Sequence, residues 1–370
     1  MNDKDYALLE RVKKYDFFAE TAKDFYEKMN IESVLVQGNH WDPPPMITVI
    51  LPTYKRPKLL EQALQSALWQ EGFDDYQILI ADNEGVDITC ETETSQLVAK
   101  YQDERIIYYR HNTQAFYKMD TAVNLARSEW ICFLHDDDLL VKNHLAVMSK
   151  IVLENPQISY LSCPHKLFNN YIDKTTFFSI TQAVHGKYDL FHYPPQYSCI
   201  GNVPGWLGAL IKREKYIDIG GMPALATGIG DFIMQGKFRD RWGTYTCRMN
   251  DGLYCYRQWS GQDTALGTSF WTRNYCVEYN YYIYMVNRYH KKWNVFWKGL
   301  GEYIIINKCK EKNNGFYELD ISIEEIKETC NMEINVEKED WKYWCYKKFL
   351  LLYTFYIEKL CNLHRVRGRF

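Results

Sequence analysis

Trp130-Ile131-Cys132-Phe133-Leu134-His135-Asp136-Asp137-Asp138 decides how the rest of this chain is read. An apolar run of strand character stops at three adjacent carboxylates. Like charges this close repel unless a cation or a solvated turn relieves them. Hard divalent cations take oxygen ligands, and Mg²⁺ is typically held by one or two carboxylates together with substrate phosphates. The run therefore reads as a strand delivering acids to a metal–diphosphate site. The same triplet also suits a solvated turn at the start of a helix, where Asp is favoured.

Upstream the pattern repeats. Met46-Ile47-Thr48-Val49-Ile50-Leu51 is a short β-branched run, as expected of a buried parallel strand. Pro52–Pro57 is a loop, and Leu59, Leu60, Ala63, Leu64, Ala67 and Leu68 then mark one face of a helix. Gln77–Ala81 is a second strand, ending at Asp82, and Arg105–Tyr109 a third; residues 119–128 read as a helix before the strand Trp130–Leu134. Strands alternating with helices imply βαβ units, an α/β fold with a mostly parallel sheet flanked by helices. Ligands of such sheets bind beyond the carboxyl ends of the strands, where Asp82 and Asp136–Asp138 stand.

The flanks differ in character. Residues 1–44 read as an amphipathic helical extension closed by Pro43-Pro44-Pro45. Residues 45–265 form the main domain, with halves at 45–145 and 146–265, in which Trp206–Ile211 reads as a further strand. Residues 266–370 read as an aromatic-rich helical region. A chain of 370 residues with 46% hydrophobic residues has enough apolar surface for these units, and with a net charge of −3 nothing argues for wholesale nucleic-acid binding. Eleven cysteines without a C-x-x-C pair read as reduced thiols of a cytoplasmic protein. The N-terminus shows no apolar leader, and no stretch approaches the length of a membrane span.

Taken in order, Ile47–Arg56, Leu59–Gln70, Ile80–Asn83, Tyr117–Ala126 and Phe133–Asp138 resemble the family 2 glycosyltransferases, which have the GT-A nucleotide-sugar fold. Gly230-Asp231-Phe232 and Tyr256-Arg257 extend the likeness more weakly. The resemblance implies a metal-dependent, inverting transfer from a UDP-sugar to a glycan or lipid-linked saccharide, with Mn²⁺ or Mg²⁺ as cofactor. It places Asp82 at the uracil or ribose, Pro52, Thr53 and Arg56 near the nucleotide with Thr53 at the base and Arg56 at phosphate, Lys118 at phosphate or the base, and Asp136 on ribose. Asp137 or Asp138 would hold the metal. Each has a plainer reading as well: a turn aspartate for Asp82, solvated side chains for Arg56 and Lys118.

The chain departs from the family pattern in three places. His135 occupies the first acidic slot of the D-x-D-D form. Gly230 replaces the first acid of the pair at a helix start, leaving Asp231 as the candidate catalytic base; it also suits a helix-capping role. Trp259 replaces a histidine two residues after Arg257, and Arg257 reads as a phosphate partner or a salt-bridge residue. Asp240 is a second candidate base in an Arg-Asp-Arg setting. Trp206 suits either an acceptor sugar or the core.

Residues 341–370 contain seven Lys or Arg and one Glu. This basic, aromatic tail suits either a membrane surface or a helix packed on the domain. The expected protein is thus a cytoplasmic glycosyltransferase, peripheral on the inner face of the membrane if the tail binds lipid. Two rival readings stand beside it. A nucleotidyltransferase would need a Gly-rich phosphate loop, which Pro52–Pro57 lacks. A catalytically inactive nucleotide- or glycan-binding protein is the reading that Gly230 keeps open.

Overall fold

The computed structural model describes residues 1–112, 118–169, 171–193, 205–223, 228–262, 267–290, 294–314, 319–333, 341–363 and 366–369. Helices α1 (Asp3–Val12) and α2 (Ala22–Glu27) precede the edge strand β1 (Ser33–Gln37). Then follow β2 (Ile47–Thr53), α3 (Pro57–Leu68), β3 (Tyr76–Asp82), α4 (Glu93–Val98), β4 (Ile106–His111), α5 (Lys118–Leu125) and β5 (Trp130–Phe133). Next come β6 (Leu139–Leu140), α6 (His144–Glu154), β7 (Tyr160–Ser162), β8 (His165–Asn169), α7 (Lys174–Ile180), β9 (Lys187–Tyr193) and β10 (Leu210–Lys212). After α8 (Arg213–Asp218) and α9 (Gly230–Trp242) come β11 (Thr244–Arg248) and β12 (Tyr254–Gln258). The remainder is α10 (Thr268–Tyr289), α11 (Asn294–Asn313), α12 (Ile323–Cys330), α13 (Trp341–Leu363) and β13 (Val366–Arg369).

Among the described residues the main sheet has ten strands in the order β1-β4-β3-β2-β5-β10-β7-β11-β9-β13, and β6-β12-β8 form a small second sheet. The parallel arrangement read from the alternating pattern holds for β4-β3-β2-β5. Beyond them the pairing is mixed: β10 runs antiparallel to both neighbours, whereas β11 is parallel to β7. All seven residues of β2 and of β3 are buried, which is why both read as continuous apolar runs. Each fully buried Ile, Leu or Val there contributes on the order of 1.5–3 kcal/mol. Pro57 at the first helical position starts α3, where its missing N–H costs nothing.

Two apolar cores lie side by side. One surrounds the main sheet; the other joins α1, α10, α11 and α12. Helix α9 belongs to both, giving Ile233 to the helical core and Met234 and Phe238 to the sheet core. The N-terminal segment also bridges them, through Phe17 on one side and Phe25 on the other. Buried ion pairs hold it there. Lys28 Nζ lies 3.0 Å from Asp120 Oδ2 and donates to the carbonyls of Gly220 and Met222 at 2.6 Å, while Lys237 meets Glu20 at 2.5 Å. Strands β1 and β13 were not expected from the sequence; both add at the sheet's edges, antiparallel to β4 and β9.

Candidate active site

Strand register builds the first part of the site. Thr53 and Asp82, the last residues of β2 and β3, are directly paired neighbours. Asp82 is fully buried; Tyr108 Oη donates to its Oδ2 at 2.6 Å and the Glu84 N–H to its Oδ1 at 3.0 Å. Burial pushes its carboxyl up to about 6, against the pull of the Tyr108 hydrogen bond. The next strand, β5, ends one turn before the acid triplet, and the Thr53 hydroxyl donates to Asp136 Oδ2 at 2.9 Å. Pro52, Thr53, Asp82 and Asp136 therefore meet at the carboxyl ends of adjacent parallel strands.

The loop after β2 turns back through Lys55, whose φ of 55° is a left-handed conformation uncommon outside glycine. The turn brings Arg56 over the triplet: Nη1 lies 3.4 Å from Asp136 Oδ1 and 3.8 Å from Asp137 Oδ2. Arg56 also donates to the Gly261 carbonyl at 3.0 Å and stands over the Trp259 ring. Its side chain is 28% exposed, so its charge reaches both the acids and the solvent side.

Strand β12 braces the triplet from the far side. Tyr254 Oη donates to Asp138 Oδ2 and the Arg257 N–H to Asp138 Oδ1, both at 2.7 Å. Burial, then the charge of Asp137, holds the Asp138 carboxyl well above its usual range. Gly208 packs beneath Tyr254; a Cβ there would fall 2.6 Å from the ring. The Trp259 indole donates to Asp137 Oδ2 at 2.9 Å. Arg257 is fully buried, with Nε on the Asp137 carbonyl at 2.5 Å and Nη2 on Gln62 at 2.8 Å. Two of its guanidinium nitrogens thus have partners within the protein. Lys118 opens α5; its side chain lies outside the described residues.

His135, Asp137 and Asp138 each offer a ligand atom, all within 4.8 Å of one another. Ligands opposite each other on a small divalent ion stand roughly 4.2 Å apart, from bonds of about 2.1 Å. The cluster fits a cation after a small contraction. A carboxylate oxygen has two acceptor positions, so one protein hydrogen bond at each Asp138 oxygen does not exhaust it. In the sequence His135 stands in the first acidic slot and reads as a departure from the acidic pattern; the structure places it as a donor beside Asp137 and Asp138. Its place directly before the triplet was the signal.

Asp231 lies in the first turn of α9, where a carboxylate complements the helix dipole. Burial raises its carboxyl to about 6; hydrogen bonds from backbone N–H groups and from Trp206 act the other way, and Glu278 adds to the rise. Trp206 is buried, with its ring 5.0 Å from Phe133 and 5.4 Å, edge-on, from His135. The indole therefore links Asp231 to the residue that precedes the acids. Asp240, the second candidate base, accepts from Arg288 at 3.0 and 2.9 Å and from Tyr289. It lines a separate surface cavity of about 540 Å³ with Tyr284, Asn287, Arg288 and Tyr289.

Residues 48–198 match the family model described as Glycosyl transferase family 2. An uncharacterized glycosyltransferase of Haemophilus influenzae is 22% identical over 57% of this chain and 68% of its own length. The GalNAc(5)-diNAcBac-PP-undecaprenol beta-1,3-glucosyltransferase of Campylobacter jejuni is 30% identical over 28% of this chain. The putative colanic acid biosynthesis glycosyl transferase WcaA of Escherichia coli is 32% identical, again over 28%. The chain spans only about a third of the length of these last two, 33% and 36%. Among solved structures, S. aureus TarS 1-349 in complex with UDP-GlcNAc aligns with a TM-score of 0.50 at 14% identity, covering 77% of this chain and 79% of that one. That likeness shows a shared fold, the GT-A arrangement of a large mixed sheet flanked by helices. Residues 48–198, from β2 onward, thus match glycosyl transferase family 2, and the curated relatives they align with are named as glycosyltransferases.

Proposed function

We propose that the enzyme moves a sugar from a UDP-sugar to a glycan or lipid-linked saccharide, with inversion and with a divalent cation bound. The Thr53–Asp136 hydrogen bond carries this reading, because it joins the Asp82 side of the site to the metal-type cluster. Residues 45–145 would form the nucleotide half, 146–265 the acceptor half and 266–370 a helical attachment.

Asp82 would accept the N3–H of uracil beside Pro52 and Thr53, and Asp136 would accept from ribose. Arg56 and Lys118 would stand by the diphosphate. Arg257, buried and bonded to the acid turn, would position it rather than touch phosphate. His135, Asp137 and Asp138 would hold the cation, and an imidazole in that set favours Mn²⁺ over Mg²⁺. When bound, such an ion supplies Lewis-acid stabilisation of the diphosphate leaving group.

Asp231 would take the proton of the acceptor hydroxyl as its oxygen attacks the anomeric carbon. The bond to the diphosphate breaks in the same step, and the nucleoside diphosphate leaves with the electron pair. A carboxyl near 6 is mostly ionised at neutral pH yet basic enough to accept that proton. The C. jejuni relative's name specifies an undecaprenol-diphosphate acceptor, which supports a lipid-linked saccharide here and a place at the inner membrane face. Among the described residues no helix is long and apolar enough to cross a membrane.

Transfer assays with a panel of UDP-sugars, with Mn²⁺ or with EDTA, test this reading. Asp231→Asn should keep UDP-sugar affinity and lose transfer by at least about a hundredfold, the range of a lost general base. Transfer retained by that variant would reject the base. UDP-sugar binding without turnover by the wild type would favour an inactive binding protein.

A further inference from the structure

Helix α13 carries an outward stripe. Trp344, Lys347, Lys348, Leu351, Leu352, Phe355, Tyr356 and Lys359 are all exposed and recur at steps of three or four residues. The apolar members are between 56% and 68% exposed. The opposite face packs on α11: Phe349 meets Phe296 and Trp297 at ring distances of 4.7 and 5.5 Å, and Tyr353 meets Trp297 at 5.5 Å. After the helix, β13 returns to the edge of the main sheet and pairs with β9. The helix is therefore held along one face and at its end, and from Trp344 to Lys359 it presents the other face as a fixed surface about 24 Å long.

Large apolar side chains in a continuous exposed row mark an interaction site. The lysines say what kind. Lys348 Nζ sits over the Trp344 ring at 5.6 Å and Lys359 Nζ over Phe355 at 4.7 Å, so charge and aromatic surface alternate along the stripe. Among the described side chains of the stripe there is no carboxylate. A second copy of the chain would bring lysine against lysine. An anionic bilayer instead offers hydrocarbon to Leu351, Leu352 and Phe355, headgroup phosphate to the lysines, and an interface that suits Trp344 and Tyr356. The arginines Arg365, Arg367 and Arg369 add to the positive charge of this end of the chain.

We propose that the exposed face of α13, from Trp344 to Lys359, docks the enzyme flat on an anionic phospholipid surface. The inference deepens the lipid-linked acceptor reading and rests on it for its purpose, since docking would bring the site to acceptors anchored in that surface. Each lysine near such a surface is worth roughly a fivefold factor in partitioning.

The test is flotation of the full chain with phosphatidylcholine vesicles and with vesicles containing phosphatidylglycerol. The wild type should bind only the second kind, and binding should weaken as salt rises. Lys347→Gln/Lys348→Gln/Lys359→Gln should bind about a hundredfold more weakly, and Leu351→Ser/Leu352→Ser should also lose binding, with circular dichroism and hydrolysis of the UDP-sugar unchanged. Equal binding by wild type and lysine variant, or no binding to anionic vesicles, overturns the proposal. So does a concentration-dependent dimer, seen in sedimentation, that the leucine variant abolishes. Vesicle binding by a protein that transfers no sugar to any lipid-linked acceptor would leave this surface standing and reject the acceptor reading.

Discussion

The hydroxyl of Thr53 donates to the carboxylate of Asp136 at 2.9 Å, tying the end of β2 to the turn after β5. Thr53 is also the register partner of Asp82. One small side chain thus fixes the relative position of the proposed uracil and ribose contacts. Hydrogen bonds to charged groups contribute about 1.5–3 kcal/mol, and loss of this one leaves Asp136 positioned only by Arg56 and its other neighbours. Thr53→Val should weaken UDP binding by about tenfold in titration calorimetry, with the fold intact by circular dichroism. Unchanged affinity would mean that Asp136 needs no such positioning.

The carboxyls of Asp82 and Asp231 both lie near 6, raised mainly by burial. The proposed roles require both to be ionised, so kcat/KM should fall below about pH 6 with a slope approaching two. Asp82→Asn should leave one limb, that of Asp231, at lower nucleotide affinity. Stability has the opposite sign. A folded carboxyl above its unfolded value near 3.9 keeps its proton between about pH 4 and 6 after the unfolded chain has lost it, so stability falls as pH rises through that window. Urea denaturation of the ligand-free protein should therefore show Asp82→Asn more stable by about 2 kcal/mol at pH 7.5. The gain should vanish near pH 4.

Lys28 and Asp120 form a buried pair between α2 and α5, and both also fasten the segment from Gly220 to Met222. That segment precedes the turn into α9 and Asp231. Removing one member of a buried pair typically costs about 3–5 kcal/mol, because the other charge stays behind without its partner. Lys28→Met should lower the unfolding free energy by that amount, and Asp120→Asn in the same chain should restore part of it. Denaturant midpoints for the two single variants and the double variant measure the coupling directly.

The centre of the fold was legible because its strands are buried on both faces. Ile47–Leu51, Gln77–Ala81 and Trp130–Leu134 needed no partner to announce themselves as parallel strands, and their carboxyl ends then located Thr53, Asp82 and Asp136. Edge strands were not legible in the same way. Ser33–Gln37 is half exposed and becomes a strand only because β4 lies beside it; β13 depends likewise on β9. Long-range contacts were the other gap. Nothing local to Trp259 shows that its indole meets Asp137, 122 residues away, or that Tyr254 and Tyr108 hold Asp138 and Asp82. Arg257 reads from its neighbours in sequence as a phosphate partner or a salt-bridge residue, and nothing local to it shows that its side chain meets Gln62 and the Asp137 carbonyl.

The most direct measurement is titration of the ligand-free protein with UDP, in Mn²⁺ and in EDTA, for the wild type and for Asp137→Asn. The wild type should bind UDP tightly only with Mn²⁺, and Asp137→Asn should abolish the difference between the two conditions. Equal UDP affinity with and without Mn²⁺, untouched by Asp137→Asn, would contradict a cation held by His135, Asp137 and Asp138 beside the nucleotide.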